Sequence, residues 1–168
     1  MGISQPKKMN PTNEKEAARK KSLGELGELY AIKTLVDEHF DKIRNVNDDH
    51  MNTCFADIYA EKDGKKYVIS VKARNKYQLD RSLNTSYRLG TNAYEKARRV
   101  SEEYGAEPYW MAVQFDSHSY SVYFGSLECL KGKNAIPVGK CEKGEVGSIL
   151  VHNKRHYFDF DFYSNKTE

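Results

Sequence analysis

The sequence predicts one α/β domain in which a central mixed sheet is flanked by helices. Three observations carry this. A broad apolar helical stripe runs through residues 22–40, two runs rich in β-branched and aromatic residues flank an Asp63-Gly64 turn, and a second helical segment at 91–104 precedes two more strand-like runs. The expected order is αβββαββ, with two of the three strands between the helices assigned to residues. At 168 residues, 39% hydrophobic and 30% charged, the chain has the size of a single domain and is too apolar for a disordered one. No run of about 18 apolar residues is present to span a bilayer, so no membrane partner is expected.

Residues 1–21 hold Lys7, Lys8, Lys15, Arg19, Lys20 and Lys21 against Glu14 and Glu16, six charges minus two, which leaves the rest of the chain near neutral. They read as a basic, flexible arm suited to a polyanion, or more plainly as a solvated terminus. Lys7 and Lys8 are followed by no apolar stretch, so a secretory signal is not expected and a cytoplasmic location is. Within 22–40, Leu23, Leu26, Leu29, Tyr30, Ile32, Leu35 and Val36 form the stripe, and Ser22 with Glu25 three residues on reads as a capping box that starts the helix. Glu28, one turn further, has no capping role.

Cys54–Ala60 and Lys66–Lys72 read as strands joined by Asp63-Gly64, the two-residue hairpin signal in which both central positions favour positive φ. If Lys62 pairs with Lys65, Asp57 falls opposite Ser70 and Phe55 opposite Lys72. Alternation puts Ser70 and Lys72 on one face and Tyr67, Ile69 and Val71 on the other. Residues 73–90 form a basic, aromatic connector carrying Arg74, Lys76, Tyr77, Arg81, Tyr87 and Arg88. Thr91–Tyr104 reads as a helix stopped by Gly105, followed by strands at Tyr109–Phe115 and Tyr120–Phe124. A Gly-rich region from Lys131 to Gly147 and a strand pair ending in Tyr157–Phe162 complete a β extension over 129–168 of the 22–128 core.

The stretches Gly24-Glu25-Leu26-Gly27-Glu28-Leu29-Tyr30-Ala31, Ala56-Asp57-Ile58 and Ile69-Ser70-Val71-Lys72-Ala73-Arg74 together resemble the PD-(D/E)xK nuclease superfamily, most nearly its Holliday-junction-resolvase-like branch. The resemblance spans about residues 22–124. It implies a restriction-endonuclease-like αβββαβ core and a magnesium-dependent endonuclease acting on duplex or branched DNA, manganese being able to substitute. It implies that Glu28 and Asp57 are metal ligands, that the Val71 carbonyl is another, and that Lys72 orients the attacking water and stabilises the transition state. Arg74, Lys76, Tyr77, Arg81 and Arg88 would meet the nucleic acid, and a homodimer is a state the family uses. The chemistry has a physical basis: hard cations take oxygen ligands, water must become hydroxide near neutral pH, and the pentavalent transition state needs nearby positive charge.

Ser70 departs from the pattern, standing where the family carries Glu or Asp. Either another carboxylate compensates, Glu28 and Glu25 being nearest, or metal affinity is reduced, or cleavage is lost. The alternative functions are therefore a nucleic-acid-binding module on a degraded nuclease fold, or a homo-oligomeric interaction protein. Gln114 is a further candidate, on a strand expected near the site. His152 and His156 read as surface residues, Asp159 and Asp161 as the solvent side of an alternating strand, and Cys54, Cys129 and Cys141 as buried free thiols.

Overall fold

The computed structural model describes residues 11–48 and 54–155. Its first element, α1 (Pro11–Asp37), begins well before the expected capping box, so Ser22 and Glu25 lie inside a helix and cap nothing. Residues 11–21, expected as flexible, are helical. Pro11 at the first helical position explains the start, since its missing N–H is an amide that would have no intrahelical partner.

After α1 come β1 (Asp41–Asn45), a 3-10 turn (Val46–Asp48), β2 (Ile58–Lys62), β3 (Lys65–Asn75) and the two-residue β4 (Tyr87–Arg88). β1 is the third strand to which the sequence had assigned no residues. Then follow α2 (Ala93–Tyr104), β5 (Glu107–Phe115), β6 (Ser119–Ser126), a second 3-10 turn (Leu127–Leu130), β7 (Ala135–Ile136), α3 (Val138–Glu142) and β8 (Ser148–Arg155). The main sheet has six strands in the order β1-β2-β3-β5-β6-β8, and β4 with β7 makes a small second sheet. β3 and β5 are parallel, and every other pair is antiparallel, so the sheet is mixed. The expected strand pair ending at Phe162, with His156, Asp159 and Asp161, lies outside the described residues.

The Asp63-Gly64 turn forms as expected, with φ of 52° and 79°, and Lys62 pairs with Lys65. α2 ends where expected too: Gly105 takes φ 59° and its N–H donates to the Ser101 carbonyl.

Helices cover both faces of the sheet. On one, Tyr30, Ala31 and Leu35 of α1 pack on Ile58, Ile69, Val71, Ala73, Met111 and Val113. On the other, Ala93, Ala97 and Val100 of α2 pack with Tyr59, Val68, Trp110 and Ala112. Cys141 is buried, whereas Cys54 and Cys129, expected inside, are only partly so. Gly27 lets α1 settle directly on β3, because a Cβ there would stand 2.2 Å from the Ala73 Cβ.

Candidate active site

The register argument holds from the turn to Ile58, which pairs with Ile69, and then fails by one residue. The Asp57 N–H also donates to the Ile69 carbonyl, 2.8 Å, so Asp57 and Ile58 both face Ile69 as in a β-bulge. The expected ladder pairs Asp57–Ser70 and Phe55–Lys72 therefore do not form. Phe55 and Ala56 are instead drawn into the core beneath α2, which turns the chain away from β3 just before β2 begins.

The bulge re-aims the Asp57 carboxylate onto β3: its Oδ2 accepts from the Val71 N–H at 2.7 Å, taking the place of a main-chain acceptor at the open end of the ladder. In an extended strand the N–H and C=O of one residue lie on the same edge, so the Val71 carbonyl faces this opening as well. From the 3-10 turn Val46 donates its N–H to the Asp57 carbonyl at 2.9 Å, and the nearby Asn47 side chain acts to lower the carboxyl against its burial.

Glu28 reaches the same opening from α1, next to the Gly27–Ala73 contact. Its carboxyl is pushed up to about 6, by burial first and then by the negative charge of Asp57 and Glu25. Asp57 is raised as well, by burial, against the lowering action of the Val71 amide, Lys72 and Asn47. Lys72 is lowered by burial and by Arg74 and Lys96, with Asp57 opposing them. Asp57 is thus the member common to both neighbourhoods, coupled to Glu28 on one side and to Lys72 on the other.

Ser70 shares the α2-facing side of β3 with Val68 and Lys72, is buried, and its Oγ finds no hydrogen-bond partner among the described residues. Gln114, also buried, stands beside Arg74 in the parallel register and on the same face. Glu25 is exposed on α1. Two participants had not been expected: Asn47 at Asp57 and Lys96 at Lys72. Neither carries a local sequence signal, since both arrive through the folding of distant elements.

The donors at the opening suit a magnesium or manganese ion. Two carboxylates, of which Asp57 raises the proton affinity of Glu28, and a main-chain carbonyl are all hard oxygens, and a cation would relieve the charge of Asp57 on Glu28. Among the described residues no group of three or more His, Cys, Asp or Glu side chains could hold a metal.

No family model matches the chain, and no curated protein matches it. Among solved structures it is similar to Hjc, a Holliday junction resolvase from the archaeal hyperthermophile Archaeoglobus fulgidus, at 18% identity and a TM-score of 0.51, over 71% of this chain and 93% of that one. The fold is restriction-endonuclease-like. Identity this low establishes that fold alone, and the roles of the residues rest on their own geometry.

Within the restriction-endonuclease-like fold the connector after β3 is an ordered hairpin. Tyr77 bridges Leu83, Asn84 donates its N–H to the Lys76 carbonyl at 2.9 Å, and Gln78 donates its N–H to the Ser82 carbonyl at 2.7 Å. Arg74, Arg81 and Arg88 are exposed. Lys76 is not a free cation: it pairs with Glu142 at 3.6 Å and lies over the Tyr77 ring, 5.8 Å from its centroid. Among the described residues no helix is long and apolar enough to cross a membrane.

Proposed function

We propose that the protein is a magnesium-dependent endonuclease that hydrolyses phosphodiester bonds in duplex or branched DNA, with manganese able to replace magnesium. The observation that supports this is Asp57, whose carboxylate accepts from the Val71 N–H at 2.7 Å where the β2–β3 ladder ends and lies within electrostatic reach of Glu28 and Lys72.

Glu28, Asp57 and the Val71 carbonyl would hold the metal. When bound there, magnesium supplies Lewis-acid charge and lowers the pKa of a coordinated water toward neutrality. The Val71 N–H orients the Asp57 carboxylate through Oδ2, which would leave its other oxygen for the metal. Lys72 would orient the attacking water and offer positive charge to the phosphate oxygens as negative charge builds on them. Arg74 and Lys96 extend that positive field, which would attract a phosphate diester.

Incubation with supercoiled plasmid and a four-way junction, in magnesium, manganese or chelator, tests the proposal. Cleavage is expected in either metal and not in chelator, and Asp57→Asn is expected to abolish it while DNA binding in chelator persists. Cleavage at an unchanged rate in Asp57→Asn would place the active centre elsewhere.

One observation favours a second reading, a binding module that has lost cleavage. Ser70 offers a neutral hydroxyl, a weaker ligand than a carboxylate, and its Oγ is buried without a partner. Ser70→Glu decides between the two: an active site should tolerate or gain from the added carboxylate, whereas a wild type that neither cleaves nor binds magnesium in calorimetry is the binding module.

A further inference from the structure

The N-terminal turns of α1 and the connector hairpin enclose a groove of about 620 Å³. α1 lends it Arg19, Lys20 and Leu23, and the other wall carries Arg74, Tyr77 and Leu79. The groove begins where the candidate active site ends. Gly27 rests on Ala73; on one side of that contact stand Glu28 and Lys72, and on the other lie Arg74 and the preceding turns of α1.

Its chemistry is mixed in a particular way. Tyr77 is 48% exposed, Leu79 80% and Leu83 52%, on a hairpin already closed by its own hydrogen bonds. Apolar side chains held out to water by a pre-formed loop mark a contact surface rather than a solvated turn. Lys20 and Arg74 lie beside them, with Arg19 whose charge is met by Glu16. Both carboxylates lining the groove are engaged within their own elements: Glu16 with Arg19 at 3.3 Å, and Asp80 with the Ser82 N–H and hydroxyl at 2.9 and 2.5 Å. Cations next to an exposed aromatic ring suit an unpaired nucleic-acid strand, whose phosphates meet the cations and whose bases stack on the ring. In a continuous duplex the bases are already stacked on one another and unavailable to Tyr77.

We infer that this groove binds an unpaired strand running on from the cleavage site, and that the preferred substrate carries a single-stranded tail or arm beside the duplex. The inference rests on the nuclease reading for its substrate but not for its test. Fluorescence anisotropy in chelator compares oligo(dT), a blunt duplex and the same duplex with an oligo(dT) tail. The tailed duplex should bind more tightly than the blunt one by roughly fivefold or more, the range that stacking of a base on an aromatic ring provides. Tyr77→Ala, and separately Arg19→Gln with Lys20→Gln, should remove that preference and most of the oligo(dT) binding, with a smaller loss on blunt duplex; Tyr77→Phe should retain both. Equal binding of blunt and tailed duplex, or an equal loss on both with Tyr77→Ala, would overturn the inference. A tail preference in a protein that cleaves nothing in magnesium or manganese supports the groove and refutes the nuclease. Cleavage of plain duplex without a tail preference does the reverse.

Discussion

Glu28 is held at a cost that its pKa makes visible. Its carboxyl sits at about 6 in the folded protein against 4.5 ordinarily, so the folded state holds this proton more tightly than the unfolded chain does. Below pH 4.5 the residue is protonated in both states and the penalty is absent; as the pH rises through about 6 the ionised form is forced beside Asp57 and stability falls. Metal-free Glu28→Gln should therefore match wild type near pH 4 and be the more stable protein at pH 8, by up to about 1 kcal/mol once the residue's contact with solvent is allowed for. Thermal unfolding in chelator at the two pH values measures this. A destabilised Glu28→Gln at pH 8 would mean that Glu28 has a stabilising partner rather than a repelling one. A group that destabilises the empty site is the behaviour expected of a ligand, since sites shaped for charge carry strain until the charge arrives.

At the scale of elements, the placement of Glu28 depends on how closely α1 approaches β3. A Cβ at Gly27 would meet the Ala73 Cβ at 2.2 Å, a collision that neither backbone can absorb without moving. Gly27→Ala should cost about 1–3 kcal/mol through overpacking, despite the better helix propensity of alanine, and should weaken metal binding by shifting Glu28. Ala73→Gly in the same chain should restore metal affinity, and calorimetry on the two single variants and the double variant tests the coupling. The same elements explain what the sequence disclosed. The β2–β3 hairpin was legible because two residues, Asp63 and Gly64, decide the register locally. The start of α1 was not read, because most of residues 14–21 are exposed and a helix without a buried face leaves no 3.6-residue period. The pattern Asn10-Pro11 was the available signal. β1 escaped notice as a short, charged edge strand, Asp-Lys-Ile-Arg-Asn, with little buried side-chain area. The bulge that delivers Asp57 has its cause in the burial of Phe55 and Ala56, a tertiary matter that no local pattern records. Glu28, Asp57 and Lys72 could thus be singled out from the sequence as candidates, but the way the fold brings them together could not.

Across the whole molecule, the connector that leaves the site strand carries Arg74, Lys76, Arg81 and Arg88 against Asp80 alone. Each cation that contacts a phosphate releases counterions from DNA, so log K should fall with log salt by about 0.9 per contact, and each lost contact should flatten the slope by that amount. The four connector cations are not equivalent. Arg74, Arg81 and Arg88 are exposed, whereas Lys76 is only 22% exposed and is already paired with Glu142. Replacing Arg74, Arg81 or Arg88 singly by Ala should weaken DNA binding and reduce the slope, and Lys76→Ala should change the slope least, because its charge is largely met before DNA arrives. Glu142→Gln supplies the converse test. Freed of its partner, Lys76 should bind phosphate, tightening DNA binding at low salt and steepening the slope, and Lys76→Ala added to Glu142→Gln should cancel both effects. Titrations at several salt concentrations in chelator measure all of this without cleavage. Unchanged affinity and slope in every arginine variant would mean that nucleic acid does not approach from the connector side, and the path from groove to active site would have to be redrawn.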